Sequence, residues 1–245
     1  MRTLVILPTY NEAENIGDVI RRVREALDGV EVLVADDNSP DGTADLAEKV
    51  GAEVGGVHVL RRPGKEGLGP AYRAGFHWAL EHGYDVVVQM DADLSHDPAA
   101  LPAMVQAVEE GADFSVGSRY VPGGDIPDWP WHRRALSKWG NRYTRFMLQL
   151  PGHDATTGYR ALSADLLRRM DFDAVRADGY GFLIEMLYRF ERIGAKGAEV
   201  PIVFRDRTRG ASKMSSRIIV EALALVTAWG LRDRLESLRR RFRRA

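Results

Sequence analysis

Two aspartates, Asp91 and Asp93, follow directly after the apolar run at residues 86–90 and form the most chemically specific feature of this sequence. Carboxylates two residues apart at the end of a buried strand can share one hard divalent cation, because Mg²⁺ and Mn²⁺ prefer oxygen ligands. Such a cation is usually held by one or two carboxylates together with substrate phosphates, and it stabilises a diphosphate leaving group. The pair therefore predicts a Mg²⁺ or Mn²⁺ site at which a phosphorylated substrate reacts.

Polar side chains also follow three other apolar runs of the sequence. These segments are 8–12 (Pro-Thr-Tyr-Asn-Glu), 36–42 (Asp-Asp-Asn-Ser-Pro-Asp-Gly) and 117–120 (Gly-Ser-Arg-Tyr). A capped turn would explain any one of them, since Asn11 can cap a helix and residues 39–42 have the composition of a turn. Together they indicate one shared binding edge, because parallel sheets bind ligands at the carboxyl ends of their strands.

Basic residues outside the periodic segments are candidates for contacts with phosphate oxygens, because Arg presents a planar fork that suits them. The candidates are Arg119, Arg133, Arg134, Arg207 and Lys213. The glycine-rich segment 67–75 lacks both the Gly-x-Gly-x-x-Gly spacing and a Walker Lys-Ser/Thr pair, which argues against a dehydrogenase or a P-loop kinase. The six histidines show no metal-ligand spacing, so we expect a surface or core role for each of them.

Short apolar, β-branched runs alternate with amphipathic stretches over the first 120 residues. The runs lie at 3–7, 30–35, 57–60, 85–90 and 113–117, and the amphipathic stretches at 12–27, 43–51, 70–82 and 98–110. This alternation predicts an α/β fold with a mostly parallel central sheet flanked by helices on both faces. Beyond a loop at 121–132, the pattern predicts helices at 133–149, 165–170 and 182–193, a strand at 198–204 and an amphipathic segment at 214–240.

The composition of the 245-residue chain narrows its class further. Apolar residues make up 45% and charged residues 28%, which is typical of a water-soluble globular protein with a sizeable core. Cysteine is absent, which excludes disulfides, a thiolate nucleophile and Cys-built metal sites, and suits a reducing compartment. No stretch reaches the ~20 apolar residues of a membrane span, and the N-terminus lacks signal-peptide features, so we expect a cytoplasmic protein.

The net charge of −1 conceals an uneven distribution along the chain. Residues 232–245 contain seven arginines against Asp233 and Glu236, a net +5, which leaves −6 for the first 231 residues. The apolar anchors of this basic helix are Leu235, Leu238 and Phe242. A basic amphipathic helix of this kind predicts contact with a membrane surface. We therefore divide the chain into a catalytic domain over residues 1–213 and an amphipathic helix with a basic tail over residues 214–245.

Taken in order, the motifs closely resemble those of the polyprenol (dolichol) phosphate mannosyltransferases, which are inverting family-2 glycosyltransferases with a GT-A fold. The resemblance covers residues 3–232, nearly the whole chain. Its motifs lie at residues 5–12, 35–43, 67–69, 90–96, 117–120, 157–160, 199–202 and 210–213. The resemblance implies a GT-A fold and the transfer of mannose from GDP-mannose to a polyprenyl monophosphate, giving polyprenyl phosphate mannose and GDP.

The resemblance also assigns individual residues to the donor. The guanosine end would contact Pro8, Tyr10, Glu12, Ala35 and Asp37. The ribose, the diphosphate and the Mg²⁺ or Mn²⁺ ion would be held by Asp91, Ala92 and Asp93, with the two aspartates as metal ligands. Arg207 and Lys213 would close over the donor diphosphate.

The acceptor phosphate would contact Arg133 and Ser137, and Arg119 would lie between this phosphate and those of the donor. The catalytic residues implied by the resemblance are Asp91, Asp93, Arg119 and Arg133. Two positions depart from the family pattern. Some relatives have Gln where this chain has Ser95, so no third metal ligand is carried over. Relatives commonly have Lys where this chain has Asp178, so no donor contact is carried over there.

The expected partners are GDP-mannose, a polyprenyl monophosphate and the cytoplasmic face of a membrane, with a membrane protein as a further candidate and no nucleic acid. Two other functions stay open on the sequence alone. One is the same chemistry with another donor, such as UDP-glucose, and the other is a non-catalytic nucleotide-sugar-binding protein. A sugar nucleotidyltransferase is disfavoured, because its glycine-rich loop with Arg and Lys is absent after the first apolar run.

Overall fold

The structure, a computed structural model, describes residues 1–177, 179–206 and 216–242, and in these ranges seven strands form one sheet. The strands are β1 (Thr3–Thr9), β2 (Glu31–Asp36), β3 (Val57–Arg61), β4 (Val86–Gln89), β5 (Phe114–Ser118), β6 (Arg160–Ser163) and β7 (Gly197–Pro201). The helices are α1 (Ile16–Ala26), α2 (Thr43–Val54), α3 (Leu68–Glu81), α4 (Leu101–Glu109), α5 (Trp131–Leu148), α6 (Ala164–Arg169), α7 (Tyr180–Arg192) and α8 (Ser216–Phe242). The strand order is β3-β2-β1-β4-β6-β5-β7.

The sheet is parallel except for β6, which lies between β4 and β5 and is antiparallel to both. Strand β1 pairs in parallel with β2 and β4, β2 with β3, and β5 with β7. Because β4 and β5 both run opposite to β6, the carboxyl ends of the parallel strands all meet at one edge. The prediction of a mostly parallel sheet is confirmed, and the polar segments after β1, β2, β4 and β5 come together at that edge.

Two strands differ from the sequence pattern. Periodicity leaves β6 unassigned, because this strand is only four residues long, has no β-branched residue and begins with the fully buried Arg160. The strand predicted at 198–204 is shorter than expected, since β7 ends at Pro201 and only an isolated bridge joins Val203 to Asp125. Both differences lie on the side of the sheet that carries β5 and the irregular segments around it.

Helices pack on both faces of the sheet, and β1 shows how the side chains divide between them. Leu4 and Ile6 belong to the cluster that contains Phe76 of α3. Val5 belongs to the opposite cluster, which contains Val19 of α1. All of these side chains are buried, which explains why the strand reads as a continuous apolar run rather than an alternating one.

The helix α8 packs its middle section against α5 and α7. Val226 is buried, and the ring of Trp229 stacks on Tyr188 with 5.7 Å between ring centroids. At Gly230 the helices approach so closely that a Cβ atom would lie 2.6 Å from the carbonyl oxygen of Met147. Within the ranges that the structure describes, none of the helices combines the length and the apolar character needed to cross a membrane.

Candidate active site

A cavity of about 380 Å³ opens at the edge where the parallel strands end. It collects residues from several segments that the sequence motifs singled out. These include Pro8 at the end of β1 and Glu12 after it, Asp91, Ala92 and Asp93 after β4, Arg119 after β5, and Arg133 of α5. Since this edge is the usual ligand-binding position of a parallel sheet, the cavity is the candidate active site.

The residues that the resemblance assigns to a guanosine group fall into two sets. The cavity lining includes Pro8 and Glu12, but not Tyr10, Ala35 or Asp37. The Asp37 carboxylate is nearly buried and forms an ion pair with Arg62. The ring of Tyr10 lies 4.2 Å from the ammonium group of Lys65. The structure therefore brings only part of this set to the cavity itself.

The segment from Asp91 to His96 turns sharply behind the two carboxylates. Leu94 has a φ of 64°, a left-handed conformation that residues other than glycine rarely adopt. The Ser95 amide donates a hydrogen bond to Asp93 Oδ1 at 3.0 Å, and the Asp91 amide donates to His96 Nδ1 at 3.3 Å. These bonds hold the backbone of the turn, while 38% of the Asp91 side chain stays exposed.

His96 supports this turn from inside the protein. Its Nδ1 accepts a hydrogen bond from a backbone amide, which requires a neutral ring protonated at Nε2. Burial lowers the pKa of His96, although Asp91 and Asp93 favour the charged form. His96 is buried, as expected for a histidine with a core role. It also lines the cavity, a position that the spacing of the histidines in the sequence did not indicate.

The oxygen donors of the cavity fit a hard divalent cation. Asp91 and Asp93 supply carboxylates, and Gly158 leaves space beside the first, since a Cβ atom there would lie 3.3 Å from Asp91 Oδ1. Among the residues that the structure describes, no three His, Cys, Asp or Glu side chains are grouped as a complete metal site. Mg²⁺ is commonly bound through one or two carboxylates with substrate phosphates as further ligands, so the pair suits a metal that binds together with a diphosphate.

Arg119 is fixed at the cavity wall by Asp154. Its Nε and Nη2 atoms donate to the two carboxylate oxygens at 2.7 Å each, and its backbone amide donates to Asp154 Oδ2 at 3.1 Å. The Asp154 side chain has no exposed surface. Burial alone would raise the pKa of Asp154, but the charge and hydrogen bonds of Arg119 outweigh this effect and lower it. Asp154 therefore sets the orientation of the guanidinium group.

Sequence reasoning missed Asp154. This residue lies in the irregular segment 151–156, where neither periodicity nor a chemical motif marks it. Its one distinguishing feature in the sequence is that it shortly precedes the motif at 157–160. The pairing with Arg119 spans 35 residues, and it depends on the placement of β5 beside the missed strand β6.

Arg133, in the first turn of α5, belongs to a second polar cluster. Its Nη1 donates to Asp206 Oδ2 at 2.9 Å, and Trp129 Nε1 donates to Asp206 Oδ1 at 3.1 Å. The guanidinium group also lies 3.9 Å from the centre of the Trp129 ring, a cation–π contact. Arg134, the next residue, instead pairs with Asp125 at 2.6 Å and lines neither the cavity nor the groove described below.

An apolar groove of about 120 Å³ adjoins the cavity. The residues common to both are Arg119, Trp129, Arg133, Thr156 and Tyr180. The rest of the groove is lined mainly by Leu136, Ser137, Trp139 and Gly140 of α5, Ile184 of α7, and Ala222 and Leu223 of α8. Ser137 accepts a hydrogen bond from the Tyr120 hydroxyl at 2.6 Å. A cavity with charged residues in its lining and an apolar groove, which meet at two arginines, suit a ligand with an anionic head and an apolar chain.

Large apolar side chains are exposed on α5 and α8, two of the helices that line the groove. They are Trp131, Leu136, Trp139 and Phe146 on α5, and Val220, Leu231 and Leu235 on α8. Leu136, Trp139 and Phe146 are spaced for one face of the helix. The two helices are joined by a hydrogen bond of 2.7 Å between the hydroxyls of Tyr143 and Thr227. We call this group of seven side chains the apolar face.

Several positions named in the sequence analysis lie outside the described residues, namely Asp178, Arg207 and the motif at 210–213 that contains Lys213. The side chains of the predicted membrane anchors Leu238 and Phe242 also lie outside what the structure describes. The roles assigned to Arg207 and Lys213 at the donor diphosphate therefore stay predictions.

Comparison with known proteins identifies similar enzymes. Residues 4–171 match the sequence family described as glycosyl transferase family 2. An undecaprenyl-phosphate mannosyltransferase of Micrococcus luteus is 52% identical over 241 residues, covering 98% of this chain and 99% of the relative. A polyprenol monophosphomannose synthase of Mycolicibacterium smegmatis is 49% identical, covering 97% of this chain and 90% of the relative.

A solved structure has the same overall fold. It is the glucosyl-3-phosphoglycerate synthase of Mycobacterium tuberculosis in complex with Mn²⁺, UDP and glucosyl-3-phosphoglycerate. The TM-score is 0.69 at 22% sequence identity, and the match covers 93% of this chain and 79% of the synthase. At this level of identity the likeness concerns the fold alone.

Proposed function

Since this chain belongs to glycosyl transferase family 2 and has a GT-A fold, we propose that it transfers mannose from GDP-mannose to a polyprenyl monophosphate with inversion at the sugar. The observation that carries the proposal is the meeting of the polar cavity and the apolar groove at Arg119 and Arg133. The cavity suits a nucleotide sugar, and the groove suits the first units of an isoprenoid chain. The mannosyltransferase names of the two bacterial relatives support mannose and a polyprenyl phosphate as the reacting groups.

On the donor side, Asp91 and Asp93 would hold a divalent cation, Mg²⁺ or Mn²⁺, beside the donor diphosphate. Such an ion, when bound, neutralises the diphosphate and stabilises GDP as the leaving group. The Mn²⁺ in the M. tuberculosis synthase complex supports a divalent metal for this fold. The hydrogen bond from the Asp91 amide to the neutral ring of His96 keeps the turn that presents both carboxylates. The assignment of Tyr10, Ala35 and Asp37 to guanosine belongs to the same proposal.

On the acceptor side, the phosphate needs no strong base. The second pKa of a phosphate monoester is about 6, so at neutral pH the group is largely a dianion and already a nucleophile. One of its oxygens attacks the anomeric carbon of mannose while the bond from that carbon to the GDP oxygen breaks on the opposite side. Arg119, Arg133 and Ser137 hold the attacking phosphate in line and reduce its repulsion by the donor phosphates.

The lipid acceptor requires contact with a membrane, and the apolar face is the surface we assign to it. Leu136 and Trp139 both line the groove and are exposed, so an isoprenoid chain can pass from the bilayer directly to Arg133. Exposed arginines of α8 beyond Leu231 add attraction to anionic lipids. We therefore place the enzyme peripherally on the cytoplasmic face of the membrane, where a membrane protein could also bind it.

The direct test is transfer of radiolabelled mannose from GDP-mannose to a short polyprenyl phosphate, measured with Mg²⁺, with Mn²⁺ and with EDTA. We expect labelled lipid only when a divalent cation is present. UDP-glucose serves as the competing donor in a parallel reaction. Transfer from UDP-glucose alone would replace the donor assignment, and absence of transfer from either donor would contradict the proposed function.

A further inference from the structure

Asp206 is bound to Arg133, one of the residues that the proposed function assigns to the acceptor phosphate. Its Oδ2 accepts the Nη1 hydrogen bond of Arg133 at 2.9 Å, and it lines the cavity at the junction with the groove. Its other oxygen accepts from Trp129 Nε1 at 3.1 Å. The carboxylate is therefore held beside the junction by the tryptophan even when it is not bound to the arginine.

The two arginines at the junction are paired in different ways. Arg119 and Asp154 are almost completely buried and share two side-chain hydrogen bonds of 2.7 Å, with a third from the backbone. Arg133 and Asp206 share one hydrogen bond, and their side chains are 32% and 43% exposed. Opening the first pair would leave a buried charge without a partner, whereas water can solvate both members of the second. Only the second pair is suited to exchange.

A phosphate must replace Asp206 to gain a net attraction, because the carboxylates of Asp154 and Asp206 cancel the charges of the two arginines. With both arginines paired to carboxylates, an incoming phosphate meets little net positive charge. When a phosphate replaces Asp206 on Arg133, the positive charge of this arginine becomes available to the phosphate. The same carboxylate then lies close to the phosphate and repels it, so Asp206 weakens the binding of any anion at Arg133, and only an anion that the arginine binds strongly replaces it.

We propose that Asp206 competes with substrate and product for Arg133 and so sets how strongly an anion must bind there, an inference that rests on the proposed function. The acceptor is a monoester with two charges, which outcompetes the single charge of the carboxylate. The product is a phosphodiester with one charge, equal to that of Asp206, which has the advantage of being tethered in place. Asp206 therefore admits the dianionic acceptor and returns to Arg133 to expel the monoanionic product.

The test compares the wild-type chain with Asp206→Asn, which keeps an oxygen for the Trp129 bond and removes the charge. The probes are decyl phosphate, a dianionic monoester, and methyl decyl phosphate, a monoanionic diester, with dissociation constants measured by titration calorimetry at low salt. Asp125→Asn is the matched control, because it removes the same charge from the neighbouring ion pair with Arg134. Thermal melting of both variants checks the fold.

We expect wild-type protein and the control to prefer the monoester. In Asp206→Asn both probes should bind more tightly by about fivefold, and the dianionic monoester should gain at least as much as the diester, because the repulsion removed grows with the charge of the probe. In the transfer assay, the KM for acceptor should fall while the KM for donor stays unchanged. Unaltered affinities for both probes, or a loss of kcat without a change in acceptor affinity, would overturn the inference while wild-type transfer still upholds the proposed function. Failure of the wild type both to bind decyl phosphate and to transfer mannose would overturn both.

Discussion

The two sides of the site, to which the proposed function assigns the donor and the acceptor, are built in opposite ways. On the donor side, the turn from Asp91 to His96 is held by hydrogen bonds within a largely buried segment at the sheet edge. On the acceptor side, the groove lies between helices that leave residues such as Trp131 and Phe146 exposed. Buried, pre-ordered polar groups stabilise charge at a reacting centre, whereas exposed apolar groups are favourable only when another apolar phase covers them. The contrast suggests one substrate from water and one from a membrane.

The largest effect should come from the donor side. Asp93→Ala removes a carboxylate from the predicted metal site, and we expect mannosyl transfer to fall by at least about 100-fold, because stabilisation of the leaving group is lost. Affinity for Mn²⁺, followed by electron paramagnetic resonance in the presence of GDP, should fall as well. The control is Asp97→Asn, an exposed aspartate whose side chain accepts a hydrogen bond from the Ala99 amide and does not line the cavity. Near wild-type turnover by Asp93→Ala would contradict the assignment of the metal and the donor diphosphate to this side of the site.

The next effect concerns Asp154, which joins the two sides by holding Arg119. Asp154→Asn leaves a buried guanidinium without its counter-charge, so the free energy of unfolding should fall by about 3–5 kcal/mol at neutral pH. Because the folded state lowers the pKa of Asp154, its contribution is present above the ordinary aspartate pKa and disappears as pH falls through the lowered value. Urea denaturation at several pH values should therefore show a gap between wild type and variant that narrows only in strong acid.

A suitable reference for that measurement is Asp125→Asn, which breaks the partly exposed pair with Arg134. Such a pair contributes at most about 1 kcal/mol. Equal losses of stability for Asp154→Asn and Asp125→Asn would contradict the role of Asp154 as the buried partner of Arg119.

A smaller effect is expected on the acceptor side. Phe146 belongs to the apolar face but does not line the groove, so its replacement tests membrane contact without altering the substrate site. Phe146→Ser should weaken binding to phospholipid vesicles by about tenfold, since one large apolar side chain loses its burial in lipid. Ile193→Ser, an equally apolar change at the exposed C-terminal end of α7, should leave co-sedimentation with vesicles unchanged. Equal losses in both variants would indicate nonspecific adsorption.

The difference between the two sides also explains which parts of the site could be predicted from the sequence. The donor side follows regular strands, so apolar periodicity located β1, β2, β4 and β5, and the polar residues after them fell at one edge as expected. The acceptor side depends on β6 and on the segment 151–156, where a buried arginine and an irregular loop conceal the pattern. Asp154 and Asp206 both acquire their roles from partners more than 30 residues away, Arg119 and Arg133, and no local signal encodes such pairs.

The smallest effect should come from single charges on α8. Arg239 is exposed on this helix, eight residues beyond Leu231 of the apolar face. One arginine near an anionic leaflet contributes about 1 kcal/mol, so Arg239→Gln should weaken binding to anionic vesicles about fivefold and leave binding to zwitterionic vesicles unchanged. Added salt should reduce the difference between wild type and Arg239→Gln, because the contribution is screened, whereas the deficit of Phe146→Ser should persist. A salt-independent deficit in Arg239→Gln would mean that the arginine acts through packing of α8, and the electrostatic part of the acceptor side would then have to lie elsewhere.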